Sequence, residues 1–215
     1  MSTNLNVRDL SENSNDDNTS ITIENKKRKE LIDKICMVAA EVIGTGLLTF
    51  FGCMGCINWF GITGFNIVAP LNFGLTVMFI IQIFGHISYA IINPAVVIVA
   101  VVHRYISITV SSFITILRNQ ILSKAIQMGI LFVIAEIVGA TLGYGLLYAL
   151  TPAKYIATQP GLCTTVVHDE ITITQAFFIE FFLTFTLILI ISGVWDPRNR
   201  DNGDSIPVRI GESIN

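Results

Sequence analysis

The stretch Gly85–Val97, GHISYAIINPAVV, breaks an otherwise apolar run at a point where a helix cannot continue from upstream. Pro94 has no backbone N–H and a fixed φ, so it suits the first turn of a helix, whose N–H groups lack intrahelical partners anyway. Asn93, just before it, is a natural N-cap. The apolar segment that follows, Asn93 to His103, is about half the length needed to cross a bilayer. The stretch therefore predicts a chain that re-enters a membrane and starts a short helix near the middle. Such backbone survives in a bilayer only where it is buried in protein or lines a wet cavity.

The surroundings are those of a membrane protein. Of 215 residues, 52% are hydrophobic and only 13% charged, too few to coat a soluble core of this size. Mean hydropathy is +0.66. Four segments are long and apolar enough to span: about 35–59, 67–87, 127–150 and 174–195. Residues 1–30 are rich in Asn, Ser, Asp and Lys and predict a disordered cytoplasmic tail. The first apolar run begins too late, and is too long, for a cleavable signal peptide.

Basic residues set the orientation. With the N-terminus inside, twelve of the thirteen Lys and Arg residues are cytoplasmic and only Lys154 is external. Both termini are then cytoplasmic, the loop 152–173 is external, and the Asn18-Thr19-Ser20 sequon goes unused. The net charge of −3 is small and says little about partners, and no nucleic-acid footprint is present. Cys36, Cys53, Cys56 and Cys163 read as buried or membrane-end thiols. Cys53-Met54-Gly55-Cys56 has CxxC spacing but no second Cys/His pair to complete a metal site.

Glu41, Glu136 and Glu180 each fall within an apolar span, where a carboxylate facing lipid would be costly. They are expected to face protein, and re-entrant backbone with unpaired N–H groups is the partner most in need of acceptors. Glu136 has a second reading, a hydrogen bond to another helix. The chain also repeats itself: Ala40-Glu41-x-x-x-Thr45 is echoed by Ile179-Glu180-x-x-x-Thr184, 139 residues later. Three spans separate each copy from the next, so the copies run in opposite directions, as in an inverted-topology repeat. Gly139-x-x-x-Gly143 reads as a close helix–helix contact.

With these residues in view, the sequence resembles the aquaporins, or major intrinsic proteins, over roughly residues 33–210. Ala40-Glu41 with Thr45 resembles the family's first helix and Asn72-Phe73-Gly74-Leu75 its second. GHIS with Asn93-Pro94-Ala95 is similar to the first pore loop. Ala135-Glu136 through Ala140 is similar to the third helix, and Ile179-Glu180 through Arg198 to the fourth. The resemblance implies an all-α integral membrane fold with an inverted repeat, here about four transmembrane helices plus one re-entrant half-helix at 93–103. Asn93, Pro94 and Ala95 map onto the first NPA motif, and Phe73 onto the aromatic of the selectivity constriction. Glu41 and Glu180 map onto the acids that hold the pore loops, with His86 tying the re-entrant loop to neighbouring backbone or lining the pore.

The sequence also departs from the family pattern. Tyr89 stands where Gly is usual, Ile91 where His is frequent, and Val97 where Thr is frequent. Residues 108–122 read either as an insertion or as an interfacial helix or longer loop. The resemblance implies that residues 31–211 form a partial membrane domain and 212–215 a non-family tail, with the second NPA repeat expected to be mostly missing. The function implied is passive conduction of water and/or small uncharged solutes such as glycerol, impaired in a truncated form. The implied assembly is a homo- or hetero-tetramer, with the plasma membrane as location. The alternative is a non-conducting short isoform that regulates full-length relatives. No metal or cofactor is implied. An enzyme is disfavoured because the intramembrane Glu and His residues form no nucleophile–base or metal-ligand constellation, and the external loop adds His168, Asp169 and Glu170.

Overall fold

A computed structural model describes residues 7–58, 67–107, 120–157, 161–196 and 198–199. All regular structure among them is helical: α1 Val7–Met54, α2 Val68–Ser88, α3 Pro94–Ser107, α4 Gln120–Leu150, α5 Ala153–Ala157 and α6 Ile173–Trp195. The chain divides into two units, Met1–Met37 and Val38–Asn215.

From Val7 onward the first unit belongs to α1. Composition alone does not show the spacing of charges in this segment. Glu24 and Arg28, and Glu30 and Lys34, stand four residues apart with the acid first, the arrangement that supports a helix.

In the second unit, four helices have the length and apolarity of membrane spans: Ile23–Met54 (which begins in the first unit), Val68–Ser88, Lys124–Leu150 and Ile173–Trp195. They coincide with the four expected spans, except that the first ends at Met54 in a turn through Cys56. The half-helix α3 has 14 residues. At 1.5 Å per residue that is roughly 21 Å, short of a crossing. Residues 108–119 of the expected insertion lie outside the described residues, as does the tail 212–215.

Glycines permit the tightest packing. A Cβ on Gly46 would sit 3.2 Å from the Gly139 carbonyl oxygen, and one on Gly139 would overlap the Val42 carbonyl. A Cβ on Gly143 would likewise overlap the Gly46 carbonyl. The backbones of α1 and α4 thus touch along Gly139-x-x-x-Gly143. Thr49 Oγ1 lies 3.3 Å from the Ala140 carbonyl across this seam and also donates to its own helix.

Two apolar clusters fill the unit. Val77, Ile80, Ala90 and Ile92 pack beneath the re-entrant loop with Leu47, Leu48 and Phe84 around them. Cys53, Ile57, Leu147 and Leu162 form the other cluster, against which Phe73 and Tyr155 pack. The free-thiol reading of the cysteines is overturned here: Cys53 and Cys163 form a disulfide, with Cα atoms 5.4 Å apart. The two lie 110 residues apart in sequence and meet only because the segment after α5 folds back onto the end of α1.

α6 begins with a capping box. Thr172 Oγ1 accepts the Gln175 N–H at 3.2 Å and Gln175 Oε1 accepts the Thr172 N–H at 2.8 Å. Its flank carries exposed Phe177, Phe181 and Phe185, with successive rings stacked.

Candidate functional site

The re-entrant turn follows directly from the end of α2. Tyr89 caps that helix in the left-handed region at φ 70°, its N–H bonded to the Gly85 carbonyl at 3.0 Å. Ala90 (φ 46°) and Ile92 (φ 41°) are also left-handed. Such backbone costs on the order of 1–3 kcal/mol per residue and persists only where the surroundings impose it. For β-branched Ile92 the cost is highest, because its Cβ substituents crowd the carbonyl.

What holds the turn is Glu41. Its side chain is fully buried in α1. One carboxylate oxygen accepts the Ile91 N–H at 3.1 Å and the other the Ile92 N–H at 2.8 Å. The buried Ser88 hydroxyl also bonds this carboxylate, and Ser88 Oγ takes the Ala90 N–H at 3.3 Å. Three consecutive N–H groups, Ala90 to Ile92, are thereby satisfied without water.

Asn93 starts α3 as its N-cap. Its Oδ1 accepts the Ala95 N–H at 2.9 Å, and its carbonyl accepts the N–H groups of Val96 and Val97 at 2.9 and 3.1 Å. Pro94 fills the first helical position, where no donor is needed. The side-chain amide nitrogen of Asn93 thus stands at the positive end of α3, where the Ala95, Val96 and Val97 N–H groups are already bonded.

Beside Asn93 lies a cavity of about 70 Å³, walled by Val77, Tyr89, Val96, Leu187, Ile191 and Trp195 among others. That volume holds roughly two waters. Tyr89 and Trp195 meet edge to face in its wall, with ring centroids 6.5 Å apart. The rest of the lining is aliphatic or aromatic, with Asn93 and the loop backbone among its polar groups.

The remaining candidates fall elsewhere. Phe73 is half-buried over Gly52, where a Cβ would strike its ring, and packs against the Cys53–Leu162 cluster rather than the cavity beside Asn93. His86 is exposed in the last turn of α2, and among the described residues its ring makes no hydrogen bond to the loop it was expected to tie. Glu180 is exposed on α6 and meets no re-entrant backbone among the described residues. Glu136, which the sequence reading left between two roles, is 2% exposed and faces both the Asn93 backbone and the Glu41 carboxylate. Neither of its oxygens closes a hydrogen bond among the described residues. Its position in an apolar span was the only sequence signal for this placement, and Glu180 carried the same signal.

Comparison with known proteins places these features in context. The family model described as Major intrinsic protein matches residues 28–215. The chain is 33% identical over 181 residues to Aquaporin-4 of Mus musculus, covering 82% of this chain and 50% of that protein. It is 31% identical over 181 residues to Aquaporin-4 of Homo sapiens, with the same coverage. It is also 30% identical over 177 residues to the Lens fiber major intrinsic protein of Lithobates pipiens, covering 82% of this chain and 59% of that protein. The chain thus spans about half the length of the curated relatives it matches.

Proposed function

Because the chain belongs to the major intrinsic protein family and is an integral membrane protein, we propose that it forms one wall of a passive channel for water and/or small uncharged solutes such as glycerol. Asn93 is the residue that meets the permeant. The observation that carries this reading is the capped, half-length α3, whose positive end opens at a small cavity inside a membrane unit. A neutral polar molecule can exchange its hydrogen bonds with Asn93 there, while the helix end opposes cations. Pro94 and Ala95 set the helix start. Phe73 acts at a separate level of the path, near the disulfide end of α1. No bond is made or broken in this process, so the reading is of a channel and not of an enzyme. Both termini lie in the cytoplasm, from the distribution of Lys and Arg.

Osmotic shrinkage of vesicles carrying the full chain, followed by light scattering, tests the proposal. The expected result is faster shrinkage than in protein-free vesicles. The gain is modest, because Tyr89 and Trp195 narrow the cavity. Shrinkage at the lipid rate in vesicles shown to contain folded chain would overturn it.

A second reading, assembly with aquaporin-family chains as a homo- or hetero-tetramer with a regulatory effect, is favoured by α6. Glu180 and the Phe177–Phe181–Phe185 stack are exposed together on an apolar span, and a carboxylate there calls for a protein partner. Failure of the tagged chain to co-purify with either itself or a full-length relative would remove this reading.

A further inference from the structure

Three sulfur atoms meet at one end of α1. Cys53, in its last turn, is bonded to Cys163, and Cys56, in the turn that follows, places its Sγ 3.1 Å from Cys163 Sγ. That separation is well inside the contact distance of two non-bonded sulfurs and is the approach a thiolate needs to attack a disulfide. The three sit in one apolar cluster: Cys53 is buried, while Cys56 and Cys163 are half-buried and adjoin the turn at Gly161–Thr164. Cys163 itself sits in the left-handed region at φ 60°.

We infer that Cys53, Cys56 and Cys163 form a thiol–disulfide exchange site, in which Cys163 pairs with either cysteine of Cys53-Met54-Gly55-Cys56. Deprotonated Cys56 Sγ attacks Cys163 Sγ, the Cys163–Cys53 bond breaks, and Cys53 departs as a thiolate. Cys53 then takes up a proton from solvent equivalent to the one Cys56 released. One disulfide and one thiol are present before and after, so no oxidant or reductant is consumed. The exchange moves the tether of the external segment three residues along the chain. It shifts the tether from the end of α1, beside the Gly52–Phe73 contact, to the turn beyond it. Burial pushes the Cys56 thiol up from its usual range, so the site is slow at neutral pH and quickens in mildly alkaline solution.

The sequence supplies a direct assay, because Met54 lies between the two candidate partners. The full chain in detergent is incubated at mildly alkaline pH without reductant, its free thiols are blocked with N-ethylmaleimide, and it is cleaved with cyanogen bromide in acid. Cys53 then resides in fragment 38–54, Cys56 in 55–78 and Cys163 in 129–215. The expected map contains 129–215 disulfide-linked to both smaller fragments, with N-ethylmaleimide on whichever cysteine is left over. A map in which 129–215 is linked only to 38–54, however long the incubation, overturns the inference. In the variant Cys53→Ser, equilibrated with oxidised glutathione as the oxidant, the expected product is the 55–78 link alone. A folded Cys53→Ser chain in which Cys56 and Cys163 both carry N-ethylmaleimide overturns it as well.

Discussion

The Glu41 carboxylate reaches across 51 positions of sequence to accept the backbone N–H of Ile92 at 2.8 Å, and so fixes a β-branched residue in the left-handed region. Replacing Glu41 by Leu leaves the Ile91 and Ile92 donors without the buried acceptor that satisfies them, at a cost of about 4 kcal/mol. Glu41→Gln keeps one acceptor but turns its amide NH₂ towards the other donor, and loses about half as much. Thermal unfolding in detergent should rank wild type above Gln and Gln above Leu. Equal midpoints for all three would mean that the loop is held by something else.

Asn93→Ala removes the acceptor for the Ala95 N–H and should cost about 1 kcal/mol through the start of α3. Asn93→Asp keeps the cap and adds a negative charge at the positive helix end, so stability should be retained. Solute flux into vesicles separates the two effects. The Asp variant should admit cations more readily than wild type while unfolding at the same temperature.

The glycines of α4 are not equivalent. Gly139→Ala drives a methyl group into the Val42 carbonyl, and neither backbone can yield, so a loss of roughly 3 kcal/mol or more is expected. Gly145 has open space where a Cβ would go, and Gly145→Ala should be neutral or gain up to about 1 kcal/mol in helix propensity. The pair can be compared by unfolding in a denaturing detergent series.

Reducing the Cys53–Cys163 bond releases the 161–164 turn from the end of α1. A loss of about 2–4 kcal/mol is expected on reduction, with a lower unfolding temperature in dithiothreitol than without it. The midpoint of Cys163→Ser should be insensitive to the reductant.

Much of this arrangement was legible from residue order. Pro94 permits only one role at a half-length apolar segment, the first turn, and Asn93 before it permits only a cap, so local chemistry fixed the start of α3. The four spans were equally legible, because the bilayer imposes a length on each. Contacts between distant segments were not. Glu41, Glu136 and Glu180 look alike in sequence, each one acid in an apolar run. Only packing puts the first against the Ile91 and Ile92 donors, the second beside Asn93 and the third on an exposed flank of α6. The Cys53–Cys163 bond was hidden for the same reason, with 110 positions between the partners. The helix in the first unit rests on local charge within a polar composition: the spacing of Glu24, Arg28, Glu30 and Lys34 favours helix.

The Glu41 clamp also dictates a chronology of biogenesis. Backbone N–H groups exposed to hydrocarbon cost several kcal/mol each, so residues 89–92 cannot adopt their shape in lipid until the acceptor stands beside them. α1 leaves the ribosome well before this turn is made, and α2 must then cross and settle against it. The dip of residues 89–93 is therefore a docking event between helices already integrated. A ribosome-bound chain arrested after Leu150, with this turn clear of the exit tunnel, should still expose it to protease whenever Glu41 has been replaced by Leu.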